Sequence, residues 1–328
     1  MTTREHTNEY FNGQPFMFLC ALALIVATVV ALSLGIQPPS ANSTGLFFSI
    51  KGRLIEHGPL SALINLVCLF TTGGIMLALN KVFSYVRAVT HLFVSSFFLL
   101  QLANPAALVS FNAGTLLCLL TAIAMLPLFA SYQDRHAQRS IFLIFAILAA
   151  GSMFHYGFLF LMPAFILGFL NMGVFNFKGV LAMLFGLVTP FWIVMGLGIV
   201  APDSFTIPSI NGIWNLTDKP WTNLVLVLAV ITVALGITLA VRNLLTIMNY
   251  RMQTRVYNAV FIFILVMAVI ALCIDHHDIQ VYLPLLNLMT AVQIAHAHTL
   301  RTAPFRYVFI LLLIAGCFAF YTANLLMP

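Results

Sequence analysis

The chain reads as an all-α polytopic membrane protein, on three grounds. Of its 328 residues 62% are hydrophobic and only 7% are charged, where a soluble globular chain carries roughly 25%. So little polar surface cannot clothe a fold in water, and lipid has to act as its solvent. The apolar runs are continuous rather than alternating, and about 20 residues is the length a helix needs to cross a bilayer. Backbone groups in hydrocarbon find no water to bond, so each spanning segment must close its hydrogen bonds within itself. Finally, the 14 Lys and Arg are spread in ones to threes between the apolar runs, as topology determinants are. Distributed this way, the net charge of +6 is no signature of nucleic-acid binding, and no nucleic-acid partner is expected.

Residues 1–14 (MTTREHTNEYFNGQ) form a short polar head on the cytoplasmic side, and 15–328 a single transmembrane domain. The first apolar run, 15–36, is too long for a signal-peptide core and no small-residue cleavage pattern follows it, so it is a retained helix. Further segments fall at 59–79, 88–102, 106–130, 141–171, 179–200, 223–243, 256–274, 279–297 and 307–325. The 30 Phe and 14 Met suit their lipid-facing and packing surfaces. Cys20, Cys68, Cys118, Cys273 and Cys317 all lie in or at the end of apolar runs without a CxxC spacing, which reads as packing rather than as a disulfide or thiolate site.

The segment at 141–171 is 31 residues long, where one crossing takes about 20. It is either one long tilted helix or two short ones hinged near Gly151–Ser152 and His155–Tyr156–Gly157. Charge chooses between them. With the N-terminus inside and a hairpin at 141–171, eleven basic residues face inward (Arg4, Lys81, Arg87, Arg135, Arg139, Lys178, Arg242, Arg251, Arg255, Arg301, Arg306) and three outward (Lys51, Arg53, Lys219). A single crossing would turn six of the later basic residues outward, against the positive-inside rule. Two full passes and a shallow re-entrant pair give the same sidedness. Counting the hairpin as two predicts about eleven helices, N-terminus inside and C-terminus outside, in a bacterial inner membrane. The long outer loops are then 37–58 and 201–222, and five of the eight acidic residues (Glu56, Asp203, Asp218, Asp275, Asp278) face outward.

Four places hold candidate chemistry. CIDHHDIQ, 273–280, gathers Asp275, His276, His277 and Asp278 into an outward turn. Asp278 has a structural role at the start of a helix, whereas Asp275 ends one, where the dipole disfavours an anion. The turn is either solvated or a site for a divalent cation or a moving proton. In the first outer loop, LFFSIKGRLIEH places Phe47, Ile50 and Leu54 on one helical face and Ser49, Gly52, Arg53 and Glu56 on the other, the pattern of an interfacial helix. Glu56 is there either a solvated partner of Arg53 or a catalytic acid–base group. The loop APDSFTIPSINGIWNLTDKPWT carries Trp214 with Phe205 and Trp221 among amide and hydroxyl residues, which serves either a sugar or the aromatic belt. His155–Tyr156 at the hairpin tip either lines an outer cavity or is a buried, hydrogen-bonded pair. His91, His296 and His298, near inner helix ends, read as interfacial. No Asp, Glu, Lys or Arg lies at the middle of an apolar run. A charge there costs about 2.5–3.5 kcal/mol and is kept for function, so an ion-coupled transporter is disfavoured.

Two stretches carry a resemblance. LALNKVFSYVRAVTHLFVSSFFLLQLANPAALVSFNAGTLLCLLTAIAMLPL (77–128) and FLIFAILAAGSMFHYGFLFLMPAFILGFLNMGVFNFKGVLAMLFGLVTPFW (142–192) resemble an uncharacterised family of polytopic inner-membrane proteins from Bacteroidota. The resemblance rests on Leu79–Asn80–Lys81, Asn104–Pro105, Phe175–Asn176–Phe177–Lys178 and Thr189–Pro190–Phe191. More broadly, Ala149–Ala150–Gly151, Pro163 and Pro190–Phe191–Trp192 in the second stretch are similar to the short helix pair and following helix of C-type membrane glycosyltransferases. That similarity implies a polyprenyl-phosphate-linked sugar donor on the outer face and an acid in the first outer loop that activates the acceptor hydroxyl. Only Glu56 matches that acid, and it stands alone at the loop's end where those enzymes commonly place an acid, often paired, soon after the first helix. The large soluble domain many of them carry has no counterpart. On this reading Glu56 is the general base, and Asp275, His276 and Asp278, with His155 and Trp214, serve the donor or a divalent cation that lets carboxylates approach phosphate. The alternative is a non-catalytic membrane subunit that holds a membrane-protein partner in an envelope-assembly complex. Membrane lipid is a partner under either.

Overall fold

The computed structural model describes residues 10–37, 45–46, 58–86, 90–134, 136–199, 220–247, 251–275, 278–299 and 306–326. The described chain is all-helical, with no strand among the described residues. In chain order the helices are α1 (Gln14–Ser33), α2 (Pro59–Phe83), α3 (Leu92–Leu102), α4 (Pro105–Leu108), α5 (Ala113–Ala130), α6 (Gln138–Phe154), α7 (Gly157–Asn171), α8 (Phe177–Gly196), α9 (Pro220–Ile247), α10 (Met252–Ile274), α11 (Ile279–Thr299) and α12 (Arg306–Leu326). Seven of these, α1, α2, α5, α8, α9, α10 and α12, contain stretches long and apolar enough to cross a membrane. They suit an integral, multi-pass membrane protein. Helices α3, α6 and α7 are apolar but shorter.

The long segment 141–171 is two helices, α6 and α7, joined through His155 and Tyr156. His155 is extended (φ −153°, ψ 127°), which ends α6. The segments expected at 88–102 and 106–130 differ from the structure. Among its described residues the first is helical over the 11 residues of α3. The second is cut into α4 and α5. The causes are local: the residue before a proline is pushed out of helical geometry, and Asn104 (φ −119°, ψ 86°), before Pro105, separates α3 from α4. A second extended residue, Asn112 (φ −131°, ψ 170°), then caps α5 by accepting from Thr115 N. Irregular backbone inside a bundle needs protein partners, and α2 supplies them. Asn65 Nδ2 donates to Ala107 O (3.0 Å) and Leu108 O (3.1 Å), and Ser61 Oγ accepts from Phe111 N (2.9 Å).

Helix α11 lies at the centre, packed by α3, α5, α9 and α10. All its residues except Ala297 and Thr299 are buried. Its polar side chains explain the placement, because amides facing lipid would lack partners. Inside the bundle they find them. Asn287 Nδ2 donates to Leu100 O (3.3 Å), Gln101 Nε2 to Pro284 O (3.2 Å), Asn243 Nδ2 to Gln293 O and Oε1 (both 2.9 Å), and Gln293 Nε2 to Asn258 Oδ1 (3.1 Å). His296 and His298, expected at an interface, are buried because α11 is enclosed almost to its end. At the periphery α8 buries only Gly179 and Gly186, both against α6. The cysteines are all free; Cys20, Cys118 and Cys317 are buried as packing residues, whereas Cys273 is exposed.

The approach of α5 to α11 depends on Gly114. A Cβ there would lie 2.7 Å from the carbonyl oxygens of Gln280 and Val281, which are backbone and cannot swing away. Gly114→Ala is therefore expected to lower the thermal unfolding temperature of the purified protein in detergent. Gly74→Ala, in a helix with open space around the new methyl, is expected to be neutral or to stabilise by about 0.5–1 kcal/mol. Equal unfolding temperatures for the two variants would contradict the close α5–α11 contact.

Candidate buried histidine–carboxylate site

Two short connections meet at one end of the bundle. Between α6 and α7, Gly157 allows the chain to fold back closely: a Cβ on it would stand 2.7 Å from His155 Nδ1 and 3.0 Å from the Tyr282 ring. Between α10 and α11, Asp275 leaves the helix (φ −123°, ψ 64°) and Asp278 N donates back to Asp275 O (3.3 Å).

The side chains of these connections converge. His155 Nε2 lies 3.4 Å from Asp278 Oδ2. The Tyr282 hydroxyl donates to Asp275 Oδ2 at 3.0 Å. The imidazole stacks on Tyr156 (centroids 4.8 Å apart, 18°) and meets Tyr282 edge-on (6.0 Å, 74°). His155, Asp275 and Asp278 are 0%, 7% and 4% exposed. The solvated turn allowed by the sequence is therefore not what Asp275 and Asp278 form; the hairpin tip covers them. Burial, and then the Asp278 charge, push the Asp275 carboxyl above the usual carboxylate range, while Tyr156, Tyr282 and His155 pull it back.

The backbone fixes the state of the imidazole. Gly157 N donates to His155 Nδ1 at 2.9 Å, so Nδ1 is an acceptor. In this arrangement the ring hydrogen sits on Nε2 and points to Asp278. One ligand atom from each of His155, Asp275 and Asp278 lies within 4.8 Å of the others. Carboxylate oxygens and imidazole nitrogen are the donor set of a divalent-cation site, but His155 already uses Nδ1 on Gly157 and Nε2–H on Asp278. The carboxylates fit an ion; the imidazole, as folded, fits a role beside it.

Of the residues singled out in the sequence, His155, Asp275 and Asp278 come together here. Glu56, His276 and Trp214 lie outside the described residues. Gly157, named in the sequence only as part of the hinge, and Tyr282, not singled out, also belong to the cluster. The first loop also reaches this end. Leu46 N donates to Ser152 O (3.0 Å), three residues before His155, and a Cβ on Gly45 would overlap the Met153 carbonyl.

Comparison with known proteins gives no match: no family model, curated protein or solved structure matches the chain.

The tautomer is directly measurable. In nitrogen and carbon NMR spectra of histidine-labelled protein, the ring signal that disappears in His155→Gln is expected to show a bare Nδ1 and a protonated Nε2. A hydrogen on Nδ1 would mean that the Gly157 contact is not formed.

Proposed function

We propose that the protein is a membrane-embedded group-transfer enzyme, C-type glycosyltransferase-like, working at the outer face of a bacterial inner membrane with a polyprenyl-phosphate-linked sugar as donor. The reading includes about eleven crossings, N-terminus inside, which brings Asp275 and the first loop to the outer side. The observation that carries it is the docking of Gly45–Leu46 on the last turn of α6. Gly45 and Leu46, of the loop that bears Glu56, thereby lie against the helix that ends at His155, which supports a reading in which a general base from that loop serves a donor held at the His155–Asp275–Asp278 cluster. Burial of two carboxylates adds support, because such groups are costly to bury and cluster at working sites. The likeness of 142–192 to C-type enzymes supplies the class of donor.

A second reading, a non-catalytic membrane subunit holding a partner protein, is favoured by the depth of His155. A ring with no exposed surface, bonded on both nitrogens, suits a tie between the hairpin tip and the 275–278 turn.

Mass spectrometry of polyprenyl-phosphate lipids separates the two. In cells carrying the wild-type chain, a deletion or Glu56→Gln, the transferase reading expects a sugar-loaded lipid to accumulate equally in the deletion and in Glu56→Gln. Unchanged lipids in both strains would remove that reading and leave the subunit.

A further inference from the structure

The cluster at the hairpin tip has two buried carboxylates and, among the described residues, no Lys or Arg beside them. The near groups are His155, Tyr156 and Tyr282. His155 is already engaged on both ring nitrogens, its Nδ1 accepting from Gly157 N and its Nε2 facing Asp278 Oδ2. Hydroxyl and imidazole N–H donors orient carboxylates, but charge on both carboxylates at once is opposed by their burial and by each other. A cation held between them would offset that cost.

We propose that Asp275 and Asp278 bind a divalent, oxygen-preferring cation of the Mg²⁺ and Mn²⁺ class, with His155 and Tyr282 positioning the carboxylates rather than ligating the ion. The distances agree with the size of such an ion. Oxygens across a Mg²⁺ stand about 4.2 Å apart, twice the usual metal–oxygen distance, and the ligand atoms of the cluster lie within 4.8 Å of one another. The roles of the other groups follow from their bonds. His155 Nε2–H holds Asp278 Oδ2, and the Tyr282 hydroxyl holds Asp275 Oδ2. Using Nε2 as a ligand would require moving its hydrogen to Nδ1, where it would meet the Gly157 N–H head-on. A softer, nitrogen-seeking ion such as Zn²⁺ is disfavoured for the same reason. A magnesium-class ion keeps several waters and commonly completes its shell with phosphate oxygens, so the site has the chemistry to take a phosphorylated lipid headgroup. The ion site itself does not depend on the transferase reading.

The test uses the full-length protein purified in detergent and Mn²⁺ alone, with no lipid donor added. Loss of the free-Mn²⁺ electron paramagnetic resonance signal on titration is expected to show one ion per chain, displaced by Mg²⁺. Asp275→Asn and Asp278→Asn are expected to abolish binding, and His155→Gln to weaken it by roughly 10–100-fold, the range for groups that orient ligands. The wild-type protein gives a reading that no folding defect can mimic: electron spin-echo envelope modulation of bound Mn²⁺ is expected to lack a directly coordinated imidazole ¹⁴N. A strong ¹⁴N coupling that vanishes in His155→Gln would overturn the assigned roles. Absence of Mn²⁺ binding, or binding unchanged when both aspartates are replaced, would overturn the site. Because no donor lipid is present, either failure leaves the lipid measurements on Glu56→Gln unaffected.

Discussion

Polar side chains cannot be left facing hydrocarbon, and this chain places its amides where that constraint organises everything else. Asn287 and Gln293 on α11 each need partners that lipid does not provide. They obtain them from the Leu100 carbonyl on α3, Asn243 on α9 and Asn258 on α10. These bonds draw three otherwise apolar helices around a fourth. The outer helices then need only ordinary packing: α8 runs along α6, brought close by Gly179 and Gly186, with Ala182, Met183 and Leu187 partly buried against the core.

The same constraint accounts for the breaks. Asn104 and Pro105 separate α3 from α4, and the backbone freed there would be untenable in lipid. Asn65 and Ser61 absorb that cost from a neighbouring helix. At the other break, His155 and Gly157 turn the chain in two residues and leave a ring nitrogen occupied by the backbone. A turn enforced by glycine thus also sets the chemistry of the histidine it presents.

Much of the fold was legible in the sequence because the governing quantity is local. A continuous apolar run has one stable form in lipid, and the excess length of 141–171 together with its polar, glycine-flanked middle marked where it divides. The site was legible only in halves. Asp275 and Asp278 stood out as acids between apolar helices, and His155 as a lone polar ring in another. Their meeting joins positions 123 residues apart, and nothing in the periodicity of either segment refers to the other. Tyr282 looked like one more aromatic residue, since its use depends on Asp275 turning back toward it. The centrality of α11 was hidden for a different reason. Its residues pass as an apolar segment, and whether a helix lies in the middle or at the rim is a property of the assembled bundle. The fragmentation of 88–102 and 106–130 was hinted at by Asn104–Pro105 alone, too little to place both ends.

The order of the helices along the chain has a consequence for biogenesis. The element at the centre of the bundle is made after the four helices packed on it: Gln101 waits 183 residues for the carbonyl of Pro284, and the Leu100 carbonyl waits 187 for Asn287. During synthesis the earlier helices enter the bilayer around a place that is still vacant. Their inward-facing amides must be sheltered by one another, by trapped water or by the insertion machinery until residue 279 emerges. A ribosome that stalls before that point leaves a ring without its hub, whose unmet polar groups are the kind of lesion that membrane quality control can recognise.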